Sequence, residues 1–285
     1  MLSVPPPMEH GDGGVRRMTS SPLHDPATAR RPVMINTSQP NIARIYDYLL
    51  GGKDNFAADR DEADRLLQVY PLLPAKAREN RRFLARAVNW VAEQGIRQFA
   101  DLGSGMPTAQ NTHQIAQAVD PSCRVVYVDN DPVVVTHARA LLSGHGVTAI
   151  ECDLSDPAVI FGHPDTARVI RAGEPLGLIL TMTLHFFAAH AVSAIMRTIV
   201  RSIPPGSYVV ISVGSCDELT GARLAHAYTA AKLYNHAPGQ IARFFDGLEL
   251  VRPGLVEARD WDPRGPGRPP AETGVRILAG VGRKG

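Results

Sequence analysis

"FADLGSGMPTAQNTH", residues 99–113, is an apolar run that breaks into two glycines flanking a serine, with a proline and a threonine close behind. Short apolar runs of the same kind recur on the C-terminal side. QFADLG (98–103), CRVVYVDND (123–131), VTAIECDL (147–154), PLGLILTMTLHFF (175–187) and SYVVISVG (207–214) alternate with stretches of helical length. Those stretches are TAQNTHQIAQAV (108–119), PVVVTHARALLSG (132–144), PAVIFGHPDTARVI (157–170) and AVSAIMRTIVRSI (191–203). Five buried-type strands joined by helical crossovers predict a parallel sheet covered on both faces. DELTGARLAHAYTAAKLY (217–234) and QIARFFDGL (240–248) read as two further helices. LVEARDW (255–261) and GVRILAGVG (274–282) read as two strands with no helix between them, most simply an antiparallel hairpin on the sheet edge.

On the N-terminal side, NIARIYDYLLGG (41–52) has Ile42, Ile45, Tyr46 and Leu49 at helical spacing and a Gly51–Gly52 stop. AADRDEADRLLQVYP (57–71) and AKARENRRFLARAVNWVAEQG (75–95) continue as helices. Residues 1–35, rich in Pro, Gly, Ser and Arg without periodicity, read as a disordered tail. The expected organisation is a tail over 1–35, a helical cover over 36–97 and an α/β core over 98–285. Seven strands ending in an antiparallel pair form the Rossmann-like pattern of class I methyltransferases rather than of an ordinary dinucleotide-binding sheet.

Composition narrows the function classes. The chain has 285 residues, 44% hydrophobic and 20% charged, as an ordinary globular protein does. A net charge of +2 gives no sign of a polyanion-binding surface, so no nucleic-acid partner is expected. Cys123, Cys152 and Cys216 are isolated and lack CxxC spacing, which argues against a disulfide framework or a zinc site and fits a reducing cytoplasm. No apolar run reaches membrane-spanning length, so the expected location is cytoplasmic, with no membrane partner. The composition leaves the oligomeric state open.

In an open α/β sheet, the turn at 103–105 lies at the carboxyl edge, where ligands bind. Gly103, Ser104 and Gly105 allow close backbone approach. The dinucleotide fingerprint G-x-G-x-x-G would need glycine at 108, where Thr108 stands. Asp101 precedes the turn, where a carboxylate could accept hydrogen bonds from a ligand ammonium or from the turn's own amides. Asp129, with Asn130 after it, ends the second strand 24 residues beyond Gly105, as a ribose-holding carboxylate would. Asp153 and Leu154 end the third strand, where an adenine could be met by an acid and an apolar side chain. Thr181 ends the fourth. Asp131 and Asp156, each before a proline, read as helix caps. Three carboxylates at successive strand ends match the methionine ammonium, ribose and adenine of S-adenosylmethionine, whereas the pyrophosphate of NAD would gain nothing from them.

The chain also resembles a bacterial family of S-adenosylmethionine-dependent methyltransferase-like proteins formerly catalogued as a domain of unknown function. The resemblance rests on NIARIYDYLLGGKDNFAADR (41–60), ARENRRFLARAV (77–88), GIRQFADLGSGMPTAQNTHQIAQAV (95–119), RVVYVDNDPVVVTHARALL (124–142), ARFFDGLELV (242–251) and GVGRKG (280–285). It covers residues 36 to the end, and YDYLLGGKDN is its most specific string. It implies the class I fold, S-adenosylmethionine as cofactor and an N-terminal helical cover, and no particular acceptor. The segment AKLYNHAPGQIARFF (231–245) is shorter than its usual counterpart.

Methyl transfer needs alignment and water exclusion, and a base only where the acceptor must lose a proton. Candidate catalytic residues are Tyr48, Lys53 and His185, with Tyr46, Asp47, Asn55, Asn80 and Arg81 as further polar groups of the cover. No Asn/Asp-Pro-Pro-aromatic motif follows the fourth strand, and no Pro-Cys nucleophile is suitably placed. A small-molecule acceptor is left. Two rival readings stand beside the enzyme: a non-catalytic S-adenosylmethionine-binding sensor, and an NAD(P)-dependent oxidoreductase, which Thr108 and the terminal strand pair disfavour.

Overall fold

The computed structural model describes Met1 and residues 36–108, 110–142, 144, 146–265 and 274–285, so the tail expected over 1–35 lies, Met1 apart, outside the described residues. Contacts divide the chain into Met1–Pro32 and Val33–Gly285, and every element below belongs to the second unit. Its strands are β1 (Gln98–Leu102), β2 (Arg124–Asp129), β3 (Val147–Glu151), β4 (Gly177–Thr181), β5 (Tyr208–Ser215), β6 (Glu249–Leu250), β7 (Val256–Glu257) and β8 (Arg276–Arg283). Its helices are α1 (Ile42–Leu50), α2 (Ala57–Val69), α3 (Leu73–Glu93), α4 (Thr112–Val119), α5 (Pro132–Leu141), α6 (Pro157–Gly162), α7 (Pro164–Val169), α8 (Ala189–Ser202), α9 (Glu218–Ala227) and α10 (Pro238–Ala242).

The strands form one sheet in the order β3-β2-β1-β4-β5-β8-β6, with β7 also paired to β8. The first five are parallel, and β8 runs antiparallel to β5, β6 and β7. Strand side chains alternate between two cores, as a period of two requires. Phe99, Val125, Tyr127 and Val210 pack with Phe83, Leu84 and Val88 of α3. Ala100, Leu102, Val126 and Val128 pack with Ile195 and Ile199 of α8. Both faces are covered, which is why these strands read as continuous apolar runs.

The expected terminal antiparallel pair forms at the sheet edge, β7 against β8, and a second short piece, β6, also pairs with β8. Pro253, which has no N–H to donate, and Gly254, at φ +92, separate the two pieces. The helix expected over 157–170 is two helices, because Pro164 forces His163 into an extended conformation (φ −67, ψ 133). The helix expected over 217–234 stops at Ala227, since Glu62 of α2 captures the next amides. Its carboxylate accepts from the Thr229 and Ala230 N–H groups and from the Thr229 hydroxyl, the last at 2.9 Å.

The N-terminal helices are held by buried polar contacts. Asn41 caps α1 by accepting from the Ala43 and Arg44 N–H groups at 2.9 and 3.1 Å. Arg44 donates to Asp59 at 2.7 Å, both side chains buried, and Asp59 also accepts from the Asn41 and Phe56 N–H groups. After α1 the chain curls round Asp47, which accepts from the Asp54 N–H and the Asn55 amide at 2.9 and 2.8 Å. A Cβ at Gly52 would lie 1.9 Å from the Asp47 carboxylate, so only glycine fits this loop.

Candidate functional site

A cavity of about 350 Å³ opens where the strand order reverses between β1 and β4, beneath α1, α2 and α3. This is the ligand-binding edge of an open α/β sheet, and the volume falls in the range of small-molecule sites. Asp101, Gly103, Ser104, Gly105, Asp129, Asn130, Asp153, Leu154 and Thr181 all line it. The structure therefore brings together every residue placed at the cofactor position from sequence.

The turn after β1 is fastened to β2. Gly103 and Ser104 donate to the Val128 carbonyl, and the Gly105 N–H donates to Asp129 Oδ2 at 2.9 Å. Asp129 Oδ1 accepts from the Asp131 N–H at 3.0 Å. The two glycines differ. Both have positive φ, but a Cβ at Gly103 would strike Thr183 at 2.6 Å, whereas at Gly105 it would meet nothing within 4 Å. Gly105 thus faces open cavity, and a side chain there would occupy it.

Asp101 is buried and accepts from the Thr112 hydroxyl at 2.6 Å. Burial pushes its carboxyl up to about 6; the Asp129 charge adds to this, and Thr112 and Arg81 oppose it. Burial raises Asp129 in the same direction. Asp153 is on the exposed rim and accepts from the Ser155 N–H, while Leu154 is buried beside it. Asp131 caps α5 through the Val133 N–H, as expected, and also receives the Asn41 amide, tying the cover to the sheet edge. Asp156 occupies the N-cap of α6 without a side-chain capping bond.

The candidate catalytic residues separate. His185 is buried, lines the cavity, and has no hydrogen-bond partner at Nδ1. Desolvation, with His236 nearby, depresses it to about 3, so it is neutral at physiological pH. It sits in a 3-10 turn, Leu184–Phe186, beyond the end of β4. Tyr48 and Lys53 do not line the cavity. The Tyr48 hydroxyl donates to Asp64 at 3.3 Å, and Lys53 is exposed. Asn55 is committed to Asp47.

Tyr46, Asn80 and Arg81 of the N-terminal helices do line the cavity. Asn80 on α3 donates to the Tyr46 hydroxyl at 2.9 Å and accepts from the Ser212 hydroxyl at 2.6 Å. Ser212 in turn accepts from the N–H of Met182, a non-glycine residue with φ 56 at the end of β4. Such strained backbone gathers at functional sites. Arg81 donates to the Thr108 hydroxyl at 2.6 Å and to the Gln110 carbonyl. Thr108, the departure from the dinucleotide fingerprint, is thus the anchor of this arginine. Ser212 carried no sequence signal, since a serine within an apolar strand gives no indication of a partner 132 residues away.

Cys152 and Cys216 line the cavity, but burial raises both thiols, Cys216 to about 11, so neither offers a thiolate near neutrality. Among the described residues no group of three or more His, Cys, Asp or Glu side chains could hold a metal, and no helix is long and apolar enough to cross a membrane.

This sheet order, with its inserted antiparallel strand and acidic carboxyl edge, defines a class I S-adenosylmethionine-dependent methyltransferase fold. The chain belongs to the S-adenosyl methyltransferase family, whose model matches residues 28–285. A protein of Thermobifida fusca YX with a provisional methyltransferase assignment is 41% identical, with a TM-score of 0.79 over 87% of this chain and 96% of that one. A DUF574 family protein of Streptomyces avermitilis MA-4680 is 36% identical, with a TM-score of 0.79 over 87% of this chain and 99% of that one. No curated protein matches the chain. The protein is accordingly an S-adenosylmethionine-dependent methyltransferase.

Proposed function

We propose that the acceptor is a small molecule, and that Asp101, Asp129 and Asp153 hold the ammonium, ribose and adenine of S-adenosylmethionine. The observation that carries this reading is the position of those carboxylates at three successive strand ends on one cavity. The donor set suits a ligand that is cationic at one end and a diol further along. Arg81 is the only Lys or Arg among the described lining residues, and it is bound to Thr108 and Gln110, so it offers a pyrophosphate no free counter-charge. Gly103, Ser104 and Gly105 let the backbone approach, Leu154 offers an apolar contact for the base, and Asn130 and Thr181 complete the edge.

The bound cofactor supplies a methyl group on a positively charged sulfur, transferred by in-line displacement. What the chain contributes is alignment and dryness. Tyr46 and Asn80 close the cavity from the cover, and the Ser212 link fixes them against the sheet. Calorimetry with S-adenosylhomocysteine and NAD tests the assignment. A carboxylate accepting hydroxyl bonds contributes about 1.5–3 kcal/mol per bond, so Asp129→Ala weakens S-adenosylhomocysteine binding at least tenfold with the circular dichroism unchanged. NAD shows no binding. Unchanged affinity in the variant would overturn the ribose assignment.

A further inference from the structure

We infer that the part of the cavity beyond the strand ends is a subsite for an uncharged, flat, largely apolar acceptor with one hydroxyl or amino group hydrogen-bonded by His185. The inference rests on the methyltransferase reading and names its substrate class.

Charge is distributed unevenly along the cavity. The carboxylates lie at its strand-end side or are already engaged, Asp47 by its own loop and Asp131 by Val133 and Asn41. Arg81, the one Lys or Arg among the described lining residues, is likewise engaged. An acceptor carrying a carboxylate or phosphate would therefore be desolvated without a partner, which is strongly unfavourable.

The far walls have a different character. Leu66 of α2, Leu224 of α9 and Val275 ahead of β8 belong to one apolar cluster and face the cavity. An aromatic wall completes it: the His185 and Phe186 rings lie 4.4 Å apart between centroids, and the Phe186 and Tyr228 rings 5.9 Å apart. Flat rings in sequence favour a flat ligand. Tyr228 is held there because Glu62 clasps the two following amides. His185 stands where this wall meets the strand ends, the one histidine among the described lining residues, with its Nδ1 buried and without a partner. Its neutrality also matters, since an imidazolium there would repel the sulfonium of the cofactor.

Two fluorescent probes that differ by one charge test the inference on the full chain saturated with S-adenosylhomocysteine. N-phenyl-1-naphthylamine is neutral with a single N–H, and 8-anilino-1-naphthalenesulfonate is the same scaffold with a sulfonate. The neutral probe is expected to bind at least tenfold more tightly. Leu224→Arg should narrow or reverse that preference, and His185→Phe should weaken the neutral probe several-fold while leaving S-adenosylhomocysteine affinity unchanged. Equal or tighter binding of the sulfonate, or no binding of either probe, overturns the subsite, and this wild-type comparison needs no variant to fold. Calorimetry of S-adenosylhomocysteine is read separately: its failure to bind overturns the cofactor assignment, whereas probe selectivity decides the subsite.

Discussion

The carboxyl edge of the sheet and the helical layer over it face one cavity, yet they are held by different kinds of contact. At the edge, partners are close in sequence: Thr112 and Asp101 are 11 residues apart, Gly105 and Asp129 24. The parallel ladder of β1, β2 and β3 fixes those strand ends whatever ligand is present. In the cover, Asn41 reaches Asp131 over 90 residues, Asn80 reaches Ser212 over 132 and Glu62 reaches Thr229 over 167. Each of these is a side-chain link between distant segments, with no strand ladder behind it. The edge can therefore lose a side chain and keep its shape, while the cover loses shape with the side chain.

The strongest way to break this contrast is Asp59→Ala. The change leaves Arg44 buried without its counter-ion and deprives the Asn41 and Phe56 N–H groups of their acceptor. Removing one partner of a buried ion pair costs about 3–5 kcal/mol, and chemical denaturation should show a loss of that size. A loss below about 1 kcal/mol, the scale of a surface pair, would mean that apolar packing alone holds the cover.

Gly105→Val probes the opposite region. The residue has φ +65 and open space at its Cβ, so the stability cost is confined to backbone strain of about 1–3 kcal/mol. Binding suffers more in proportion, because the branched side chain projects into the space a ligand would fill. S-adenosylhomocysteine affinity should fall by more than about a hundredfold, equivalent to about 2.7 kcal/mol. A folded variant with parental affinity would make the turn a structural corner only.

The same contrast explains what could be read in the sequence. The parallel sheet, the glycine turn and the three strand-end carboxylates were legible because a strand and its end are adjacent letters. Asp131 was legible as a cap for the same reason, and the breaks at Pro253 and at His163–Pro164 are local in the same sense, each set by a proline. The polar string after α1 was misleading: its asparagine serves Asp47, and Lys53 points to solvent. Asn80 and Arg81 were visible only as polar letters in a helix, since their partners, Ser212 and Thr108, are brought near by the fold. The early end of α9 could not have been read at all, because it depends on a glutamate in another helix.

The smallest expected effect separates ligand binding from stability at a single carboxyl group. Burial raises Asp101 to about 6, against about 3.9 in an unfolded chain. The folded protein therefore takes up this proton before the unfolded chain does, and the stability due to this group rises as pH falls from above 6 toward 4. A ligand ammonium asks for the opposite, the ionised carboxylate, and S-adenosylhomocysteine keeps its ammonium protonated throughout that range. Affinity should thus fall about tenfold between pH 7 and pH 5 while this contribution to stability grows. Asp129, raised in the same direction, contributes the slope that survives in Asp101→Asn; the rest should vanish in that variant, with weaker binding at pH 7. Calorimetry at pH 5, 6 and 7 decides it. An affinity that stays level across the three values would show that Asp101 does not carry the ligand's charge, and that the edge positions the cofactor through Asp129 and the glycine turn alone.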